Sequence, residues 1–184
     1  MGEVGVAILT GGRSSRMGAD KWALPLDGGT FLSRLCVELS SFDERLLSVA
    51  PSSACRQEGW RVVEDERPGL GPIGGIRSAL RACRSDALLI VACDMPWYRA
   101  DHARATVEAW GGEDVLLPRA GGRLQPMGSL WAKTCLSAIE EAIAAGERRL
   151  LSACDRARTR IIDVPDARAY GDVDTMEDLR ALGT

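Results

Sequence analysis

Residues 4–12 read VGVAILTGG, a compact apolar run that ends in two glycines. A short apolar run bounded by a glycine turn predicts a buried strand. Residues 86–94, DALLIVACD, form the most apolar strand candidate of the chain and end at an aspartate. Strands that are apolar throughout are typical of a parallel sheet covered by helices on both faces. These two segments therefore favour an α/β fold.

Segments of helical and extended character alternate along the rest of the chain. Apolar residues at 31, 32, 35, 36 and 39 have helical spacing, and Pro72 suits the first turn of a helix over 73–84. This alternation predicts one α/β domain over residues 1–184, with three α/β/α layers around a mainly parallel sheet. The further predicted helices cover 100–110, 132–145, 150–157 and 176–182, and the further predicted strands cover 45–50, 60–64, 115–118, 124–131 and 160–164.

The composition is that of an ordinary globular protein. The chain has 184 residues, of which 46% are hydrophobic and 27% are charged, and its formal net charge is −3. This balance argues against wholesale disorder, and the lack of a basic excess argues against a nucleic-acid partner. The longest apolar run, residues 87–93, is too short to cross a bilayer, and the first residues lack a signal-peptide pattern. We therefore expect a cytoplasmic protein without a membrane partner.

Cysteine and histidine usage narrows the possible chemistry. Six cysteines are scattered along the chain without a CxxC pair. Zinc sites use closely spaced ligand pairs and disulfide frameworks belong to short secreted chains, so we predict buried, reduced thiols. His102 is the single histidine, and no GxSxG motif is present. The chemistry of this chain is therefore expected to need little or no histidine.

The segment after the first predicted strand has the composition of an anion-binding loop. Residues 9–21 read LTGGRSSRMGADK and include the cations Arg13, Arg16 and Lys21. Glycines let backbone amides approach phosphate oxygens, and the cations offset the charge of a triphosphate. The GxxxxGK[ST] spacing of a Walker A loop is absent. The alternative is an ordinary surface loop with solvated arginines.

Acidic residues follow two other predicted strands. Asp65 and Asp94 each stand just past an apolar extended segment. Ligands of open α/β sheets bind beyond such strand ends, and Mg²⁺ commonly takes one or two carboxylates together with substrate phosphates. Asp94 is therefore the candidate metal ligand, with Asp172 or Asp174 as a candidate second one. The alternatives are a turn or capping aspartate at 94 and an N-cap for the last helix at Asp174 or Thr175.

A second glycine motif leaves a different function open. Residues 69–74, GLGPIG, fit GxGxxG, and Asp94 lies 20 residues past the last glycine, as a ribose-binding acid does in dinucleotide sites. Residues 66–68 separate this motif from its strand, whereas a dinucleotide fingerprint follows its strand at once. A nicotinamide-dependent oxidoreductase is therefore a minor alternative.

Taken together, the motifs resemble those of the molybdenum cofactor guanylyltransferases, which attach GMP to molybdopterin. The resemblance covers nearly the whole chain and implies a Rossmann-like nucleotidyltransferase fold. It favours guanine, because related cytidylyltransferases tend to have alanine in place of Gly11 and another segment in place of GPIGGI. The matching segments are LTGGRSSRMGADK (9–21), Asp65, GPIGGI (71–76), CDMP (93–96), QPMGSLW (125–131), AGERRL (145–150) and GDVDTMEDL (171–179).

The resemblance also implies roles for individual residues. The implied catalytic residues are Arg16, Lys21 and Asp94, and Asp94 is also the implied Mg²⁺ ligand. The implied GTP-binding residues are Leu9, Thr10, Gly11, Gly12, Lys21, Asp65, Gly71, Pro72 and Asp94, with Gly71 and Pro72 on the guanine side. The implied molybdopterin-side residues are Arg148, Arg149 and Asp174.

The activity implied by the resemblance is transfer of GMP from GTP to molybdopterin or molybdenum-molybdopterin, with release of pyrophosphate. Other proteins of cofactor assembly are further implied partners. The alternatives are cytidylyl or other nucleotidyl transfer to molybdopterin or a sugar phosphate, and a non-catalytic GTP-binding adaptor for molybdoenzyme assembly. Two segments depart from the family pattern: Val49-Ala50-Pro51, where an asparagine is common, and Asp172-Val173-Asp174-Thr175, which stands in place of Asn-x-Asn-Thr.

Overall fold

A central sheet forms the middle layer of the protein. The computed structural model describes residues 2–11, 20–26, 28–173 and 178. Within these residues the strands are β1 (Val4–Leu9), β2 (Pro25–Leu26), β3 (Gly29–Thr30), β4 (Arg45–Val49), β5 (Arg61–Glu64), β6 (Ala87–Ala92), β7 (Val115–Ala120), β8 (Arg123–Leu124), β9 (Ser129–Ala132) and β10 (Thr159–Val164). The α-helices are α1 (Phe31–Glu38), α2 (Pro72–Ala82), α3 (Ala100–Ala109), α4 (Leu136–Ala144) and α5 (Leu150–Cys154).

The pairing of the strands brings their carboxyl ends to one edge. The main sheet has the order β10-β7-β9-β6-β1-β4-β5, with β8 paired to β7. Parallel pairs join β1 to β4 and to β6, β4 to β5, and β7 to β10. In this register, Leu9 lies opposite Ser48 on one side and Ala92 on the other. The ends of β1, β4 and β6 therefore meet where α/β proteins bind their ligands.

Helices cover both faces of the sheet, as the apolar character of β1 requires. Ala7 and Leu9 belong to a core cluster with α2, α4 and α5, whereas Val6 and Ile8 belong to one with α1 and with Ala103 of α3. Successive residues of a strand point to opposite faces, so a strand buried on both sides is apolar throughout. The predicted three-layer architecture around a mainly parallel sheet is confirmed.

Two strands of the main sheet, β8 and β9, run against their neighbours. β9 is antiparallel to both β6 and β7, and most of it comes from segment 124–131, which the sequence predicts as an extended segment interrupted by Pro126 and Gly128. Gly128 precedes β9 with a φ of 77°, and its amide donates to the carbonyl of Ile90 at 2.7 Å. A Cβ at this position would lie 2.5 Å from Cε1 of Tyr170. The break therefore depends on glycine, which adopts positive φ and needs no side-chain space.

Other boundaries differ from the predicted ones in small ways. The helix predicted over 132–145 begins as a 3-10 turn at Lys133–Cys135 before α4. The sequence does not predict the short antiparallel pair β2–β3, because two-residue strands carry no periodicity. The predicted helix 176–182 lies outside the described residues except for Asp178. Among the helices that the structure describes, none is long and apolar enough to cross a membrane.

The cysteines and the single histidine take structural positions. All six cysteines are buried and free, which confirms the prediction of reduced thiols. Burial raises the pKa of Cys36 to about 12 and that of Cys83 to about 11, so these thiols stay protonated at neutral pH. Nδ1 of His102 accepts a hydrogen bond from the Arg99 amide at 3.0 Å, and its Nε2 lies 3.1 Å from a carboxylate oxygen of Asp166. His102 thus caps the start of α3.

A carboxylate at the amino-terminal edge of the sheet ties several segments together. Glu44, whose side chain is 14% exposed, accepts hydrogen bonds from the amides of Arg84 and Ser85, the Ser85 hydroxyl and the Arg61 guanidinium. Burial by itself raises the pKa of this carboxyl, but the four donors outweigh burial and lower the pKa to about 2. The folded state therefore stabilises the ionised form.

We expect Glu44→Gln to lower the free energy of unfolding by about 2 kcal/mol at neutral pH, because the amide lacks the charge and turns N–H groups toward the donors. A carboxyl whose pKa is depressed by folding stabilises the fold above its unfolded pKa, about 4.3, and this contribution fades as the pH falls toward the folded value of about 2. Urea unfolding at neutral pH measures the loss of stability, and the same measurement at about pH 3 measures how far that loss decreases. Glu58→Gln, at an exposed position, is the control. A difference between Glu44→Gln and the unchanged protein that stays constant at acidic pH would contradict this account.

Candidate functional site

A cavity of about 580 Å³ opens at the carboxyl edge of the sheet, beyond β1, β4 and β5. Its size is typical of a small-molecule site. Five of the residues predicted to bind GTP line it together: Leu9, Gly11, Asp65, Gly71 and Pro72. The other lining residues are Ser48, Ala50, Pro68, Gly69 and Gly75.

The first loop leaves β1 through a firmly held threonine. The amide and the hydroxyl of Thr10 both donate to the carbonyl of Ser48, at 2.9 and 3.0 Å. Because this hydroxyl binds β4, Thr10 fixes the position of the backbone at the start of the loop. A Cβ at Gly11 would meet no described atom within 4 Å, so the space beside the loop is open. Gly12 and Arg16, predicted to bind the nucleotide, lie outside the described residues.

Asp65 lies half-buried just past β5 and lines the cavity. Its amide donates to the carbonyl of Val49 at 2.9 Å, and its Oδ1 accepts a hydrogen bond from the Ser48 hydroxyl at 3.1 Å. Burial raises the pKa of the Asp65 carboxyl, and the hydrogen bond from Ser48 offsets part of that rise. No basic side chain in the described residues pairs with this carboxylate. Its remaining acceptor positions are therefore available to a ligand in the cavity.

Glycines shape the loop of residues 65–71 between β5 and α2. Gly69 and Gly71 have φ values of 86° and 71°, which favour glycine. Pro72 is the first residue of α2, where its missing N–H costs no helical hydrogen bond. Nη1 of Arg148 donates to the carbonyl of Gly69 at 2.9 Å and holds this loop from outside. Because seven residues separate the end of β5 from the start of α2, the two elements are not joined by the direct turn that a dinucleotide fingerprint uses.

An ion pair lies at the same edge of the sheet. Nζ of Lys21 is 2.8 Å from Oδ2 of Asp94, and the two side chains are 15% and 19% exposed. The amide of Cys93 donates to the carbonyl of Leu9 at 3.1 Å, which fixes the end of β6 against β1. The amide of Val173 donates to the Asp94 carbonyl at 3.1 Å. The fold thus brings two of the predicted catalytic residues into contact, although they are far apart in sequence.

The donor set at this edge suits a cation that arrives with a nucleotide. In the described part of the chain, no group of three or more His, Cys, Asp or Glu residues could hold a metal by itself. Mg²⁺ does not need such a cage, since it commonly takes one or two carboxylates and fills its other positions with phosphates and water. Asp94 offers one such carboxylate at the sheet edge. Asp172 is exposed, and Asp174 lies outside the described residues.

The two arginines predicted for the acceptor side lie beside different cavities. Arg148 contacts Gly69, which lines the cavity that contains Asp65. Arg149 lines a second cavity of about 320 Å³. Its other lining residues are Leu117, Leu124, Leu151, Ser152, Cys154, Asp155, Thr159 and Ile161. Arg148 therefore supports a loop that lines the first cavity but does not line that cavity itself.

The sequence assigns no binding role to five of the lining residues, and two of these five differ from their surroundings in the chain. Ser48 is the one polar residue among the last four of β4, and Gly75 lies inside α2. Glycine in a helix interior costs about 1 kcal/mol relative to alanine, so a glycine there can indicate a close approach to another element. The polar residue in an apolar strand and the glycine inside a helix are both visible in the sequence. Neither indicates which other element of the fold lies close to it.

Comparison with known proteins identifies the family. A family model described as the MobA-like NTP transferase domain matches residues 6–159. The chain belongs to this family. As a member of the MobA-like NTP transferase family, the protein is a nucleotidyltransferase, and its cavity lies where an α/β sheet binds nucleotides.

Sequence relatives of this MobA-like protein have a more specific name. The "Probable molybdenum cofactor guanylyltransferase" of Pelotomaculum thermopropionicum is 34% identical over 168 residues. The alignment covers 91% of this chain and 82% of the relative. The resemblance inferred from the motifs is therefore confirmed.

Solved structures share the fold of the MobA-like chain. Molybdopterin-guanine dinucleotide biosynthesis protein A from Archaeoglobus fulgidus is 23% identical, with a TM-score of 0.77 over 96% of this chain and 95% of that one. The 2-C-methyl-D-erythritol 4-phosphate cytidylyltransferase of Thermus thermophilus is 14% identical, with a TM-score of 0.73 over 96% and 95% of the two chains. Because proteins named for different nucleotides share this fold, the fold alone does not select the base.

Proposed function

We propose that the protein transfers GMP from GTP to the terminal phosphate of molybdopterin or molybdenum-molybdopterin, releasing pyrophosphate. The observation that carries this proposal is the position of the Lys21–Asp94 pair at the same sheet edge as the cavity with Asp65. A nucleoside seated in the cavity would direct its phosphates toward the ion pair. The name of the sequence relatives supports guanine and molybdopterin as the two substrates.

The proposed reaction depends on alignment and charge neutralisation. A phosphate monoester has a second pKa of about 6, so the acceptor is largely dianionic at neutral pH and needs no general base. An acceptor oxygen forms a bond to the α-phosphorus of GTP while the bond from that phosphorus to the oxygen shared with the β-phosphate breaks. Pyrophosphate leaves with the electron pair of the broken bond. Because two anions must meet, a fixed cation such as Lys21 is the main contribution that the chain can make.

Asp94 is the residue proposed to hold Mg²⁺, together with the phosphates of GTP. When bound, the ion would screen the phosphate charge and stabilise the departing pyrophosphate. Asp94 would then share its carboxylate between the ion and Lys21, which leaves the ammonium group close to the same phosphates. Arg16 is proposed as a second cation for the phosphates, and Gly12 as part of the loop that binds them.

The acceptor is proposed to approach from the side of Arg148, Arg149 and Asp174. The contact of Arg148 with Gly69 supports this arrangement, because it holds a guanidinium group beside a loop that lines the nucleotide cavity. Guanidinium groups suit phosphate recognition through paired N–H donors. We further propose that the reaction takes place in the cytoplasm and that other proteins of cofactor assembly deliver the acceptor or receive the product.

Calorimetric titration with GTP, CTP and ATP, each with Mg²⁺, tests the nucleotide half of this proposal. We expect GTP to bind about tenfold more tightly than the other two, because the Asp65 carboxylate can accept hydrogen bonds from both N–H groups at the edge of guanine. Cytosine and adenine present a single amino group beside a ring nitrogen that only accepts, so one of the two hydrogen bonds that guanine can donate to the carboxylate would be missing.

The other outcomes separate the alternatives. Tighter binding of CTP would favour cytidylyl transfer, and the absence of nucleotide binding would contradict the proposal. Pyrophosphate release that depends on added molybdopterin distinguishes the enzyme from a GTP-binding adaptor, which would bind GTP without turnover. Release that depends instead on a sugar phosphate would assign a different acceptor.

A further inference from the structure

Ser48 connects two walls of the nucleotide cavity. It is 3% exposed, and its hydroxyl donates to Oδ1 of Asp65 at 3.1 Å. Its carbonyl accepts hydrogen bonds from both the amide and the hydroxyl of Thr10. A single residue of β4 therefore holds the start of the first loop and a carboxylate that lines the cavity.

The hydrogen bond from Ser48 restrains the orientation of the Asp65 carboxylate. An ionised carboxylate only accepts, so the hydroxyl proton must point at Oδ1. Ser48 is the one side chain among the described residues that hydrogen-bonds Asp65, which leaves Oδ2 and the second lone pair of Oδ1 for a ligand. The terminal torsion of an aspartate has broad energy wells, so without this bond the carboxylate would take a range of orientations. Nucleobase N–H donors require an acceptor with a defined direction.

Gly75 confines the Ser48 hydroxyl from the opposite side. A Cβ at Gly75 would lie 2.8 Å from Oγ of Ser48 and 3.5 Å from both Oδ1 of Asp65 and Cδ2 of Leu9. Glycine is among the least favourable residues in a helix interior, so its presence in α2 has a packing reason. The close approach of α2 to Ser48 supplies that reason. Any larger residue would displace the hydroxyl from the carboxylate.

We propose that Ser48 is a positioning residue for nucleotide binding, whose hydroxyl, confined by Gly75, orients the Asp65 carboxylate toward the N–H groups of the nucleobase. This inference rests on the proposed function, since it takes a nucleotide as the ligand of the cavity. Part of the affinity for the nucleotide would then come from the Ser48 hydroxyl, which acts through Asp65. Because Lys21 and Asp94 are unaffected, loss of the Ser48 hydroxyl raises KM for GTP and leaves kcat nearly unchanged.

A double-mutant cycle tests the proposal. Ser48→Ala is expected to weaken GTP binding about tenfold in calorimetry and to raise KM by a similar factor, with kcat within about twofold. Gly75→Ala is expected to weaken GTP binding because the added Cβ displaces the Ser48 hydroxyl. In the double variant the two losses should not add, because Ser48→Ala removes the atom that the added Cβ meets. Ser48→Thr keeps the hydroxyl and should restore most of the affinity.

Ser129→Ala is the matched control, since it removes a buried strand hydroxyl from β9 at a position that does not line the cavity. It should leave KM for GTP unchanged, and thermal unfolding of every variant separates lost stability from lost binding. Unchanged GTP affinity in Ser48→Ala, a fall in kcat at constant KM, or additive losses in the double variant would overturn the proposal. If the unchanged protein prefers CTP, guanylyl transfer is wrong and the same cycle is run with CTP. If it binds no nucleotide, the proposed function and this inference both fail.

Discussion

Lys21→Ala is expected to slow GMP transfer about a thousandfold while the protein stays folded. Nζ of Lys21 lies 2.8 Å from Asp94 at the sheet edge that the phosphates are proposed to reach. A fixed cation at a phosphoryl-transfer site contributes on this scale, because it is already oriented toward the charge that develops on the leaving pyrophosphate and adds to the effect of the bound metal ion. The rate of pyrophosphate release at saturating GTP and acceptor measures the loss.

The chain offers one matched control for this variant, because Lys133 is its only other lysine. Lys133 lies at the opposite edge of the sheet, where its amide donates to the Asp86 carbonyl at 2.9 Å and its Nζ to the Arg84 carbonyl at 3.2 Å. Lys133→Ala removes the same charge away from the cavity and should retain full turnover. Circular dichroism and thermal unfolding of both variants check the fold. A rate of GMP transfer by Lys21→Ala within tenfold of that of the unchanged protein would contradict the catalytic role of Lys21.

Asp94→Asn is expected to lower turnover by about a thousandfold and to abolish the dependence of GTP binding on Mg²⁺. The amide keeps the size of the side chain but carries no charge, so it binds neither the ion nor Lys21 strongly. Initial rates and calorimetric GTP affinities over a series of Mg²⁺ concentrations measure the effect. The unchanged protein should respond to the ion and saturate, whereas the variant should show a flat profile.

Asp86→Asn is the control for the second variant, since Asp86 immediately precedes β6 and Asp94 follows its other end. Its Oδ2 accepts a hydrogen bond from the Glu3 amide at 2.9 Å, so the change perturbs a surface contact and leaves the cavity intact. We expect its Mg²⁺ profile to match that of the unchanged protein. Near-complete turnover by Asp94→Asn in Mg²⁺ would show that the metal binds elsewhere.

The fold could be predicted because its central strands are apolar on both faces. β1 and β6 have this character, and each ends in residues that stop a strand, so their parallel pairing and their helical cover follow from burial. The antiparallel direction of β9 is indicated in the sequence only by the Gly121-Gly122 turn, because a two-glycine loop between extended segments favours a hairpin. The chain reverses at the Gly121-Gly122 hairpin between β7 and β8, and Gly128, which fits against Tyr170, then separates β8 from β9.

Some features of the candidate site could likewise be predicted from the sequence, and others could not. Leu9, Gly11 and Asp65 could be placed near one another because they follow strands whose carboxyl ends share an edge. The contact between Lys21 and Asp94 needs the path of a loop that no periodicity describes. Burial of Ser48 against α2 depends on how closely that helix approaches the sheet, which side-chain volume decides. The family resemblance implies roles for residues, but which side chains orient one another depends on packing between segments that are distant in the sequence.

β9 joins two parts of the sheet that come from different halves of the chain. The strands β1, β4, β5 and β6 all precede residue 93, whereas β7, β8 and β10 all follow residue 114. In the described residues, these two parts are linked within the sheet only through the antiparallel pairs of β9. The cavity with Asp65 belongs to the first part, and the cavity with Arg149 includes residues of the second. Substitutions that reshape the cavity with Arg149 are therefore expected to leave the register of β1, β4 and β5 unchanged, because within the sheet they reach these strands only through β9.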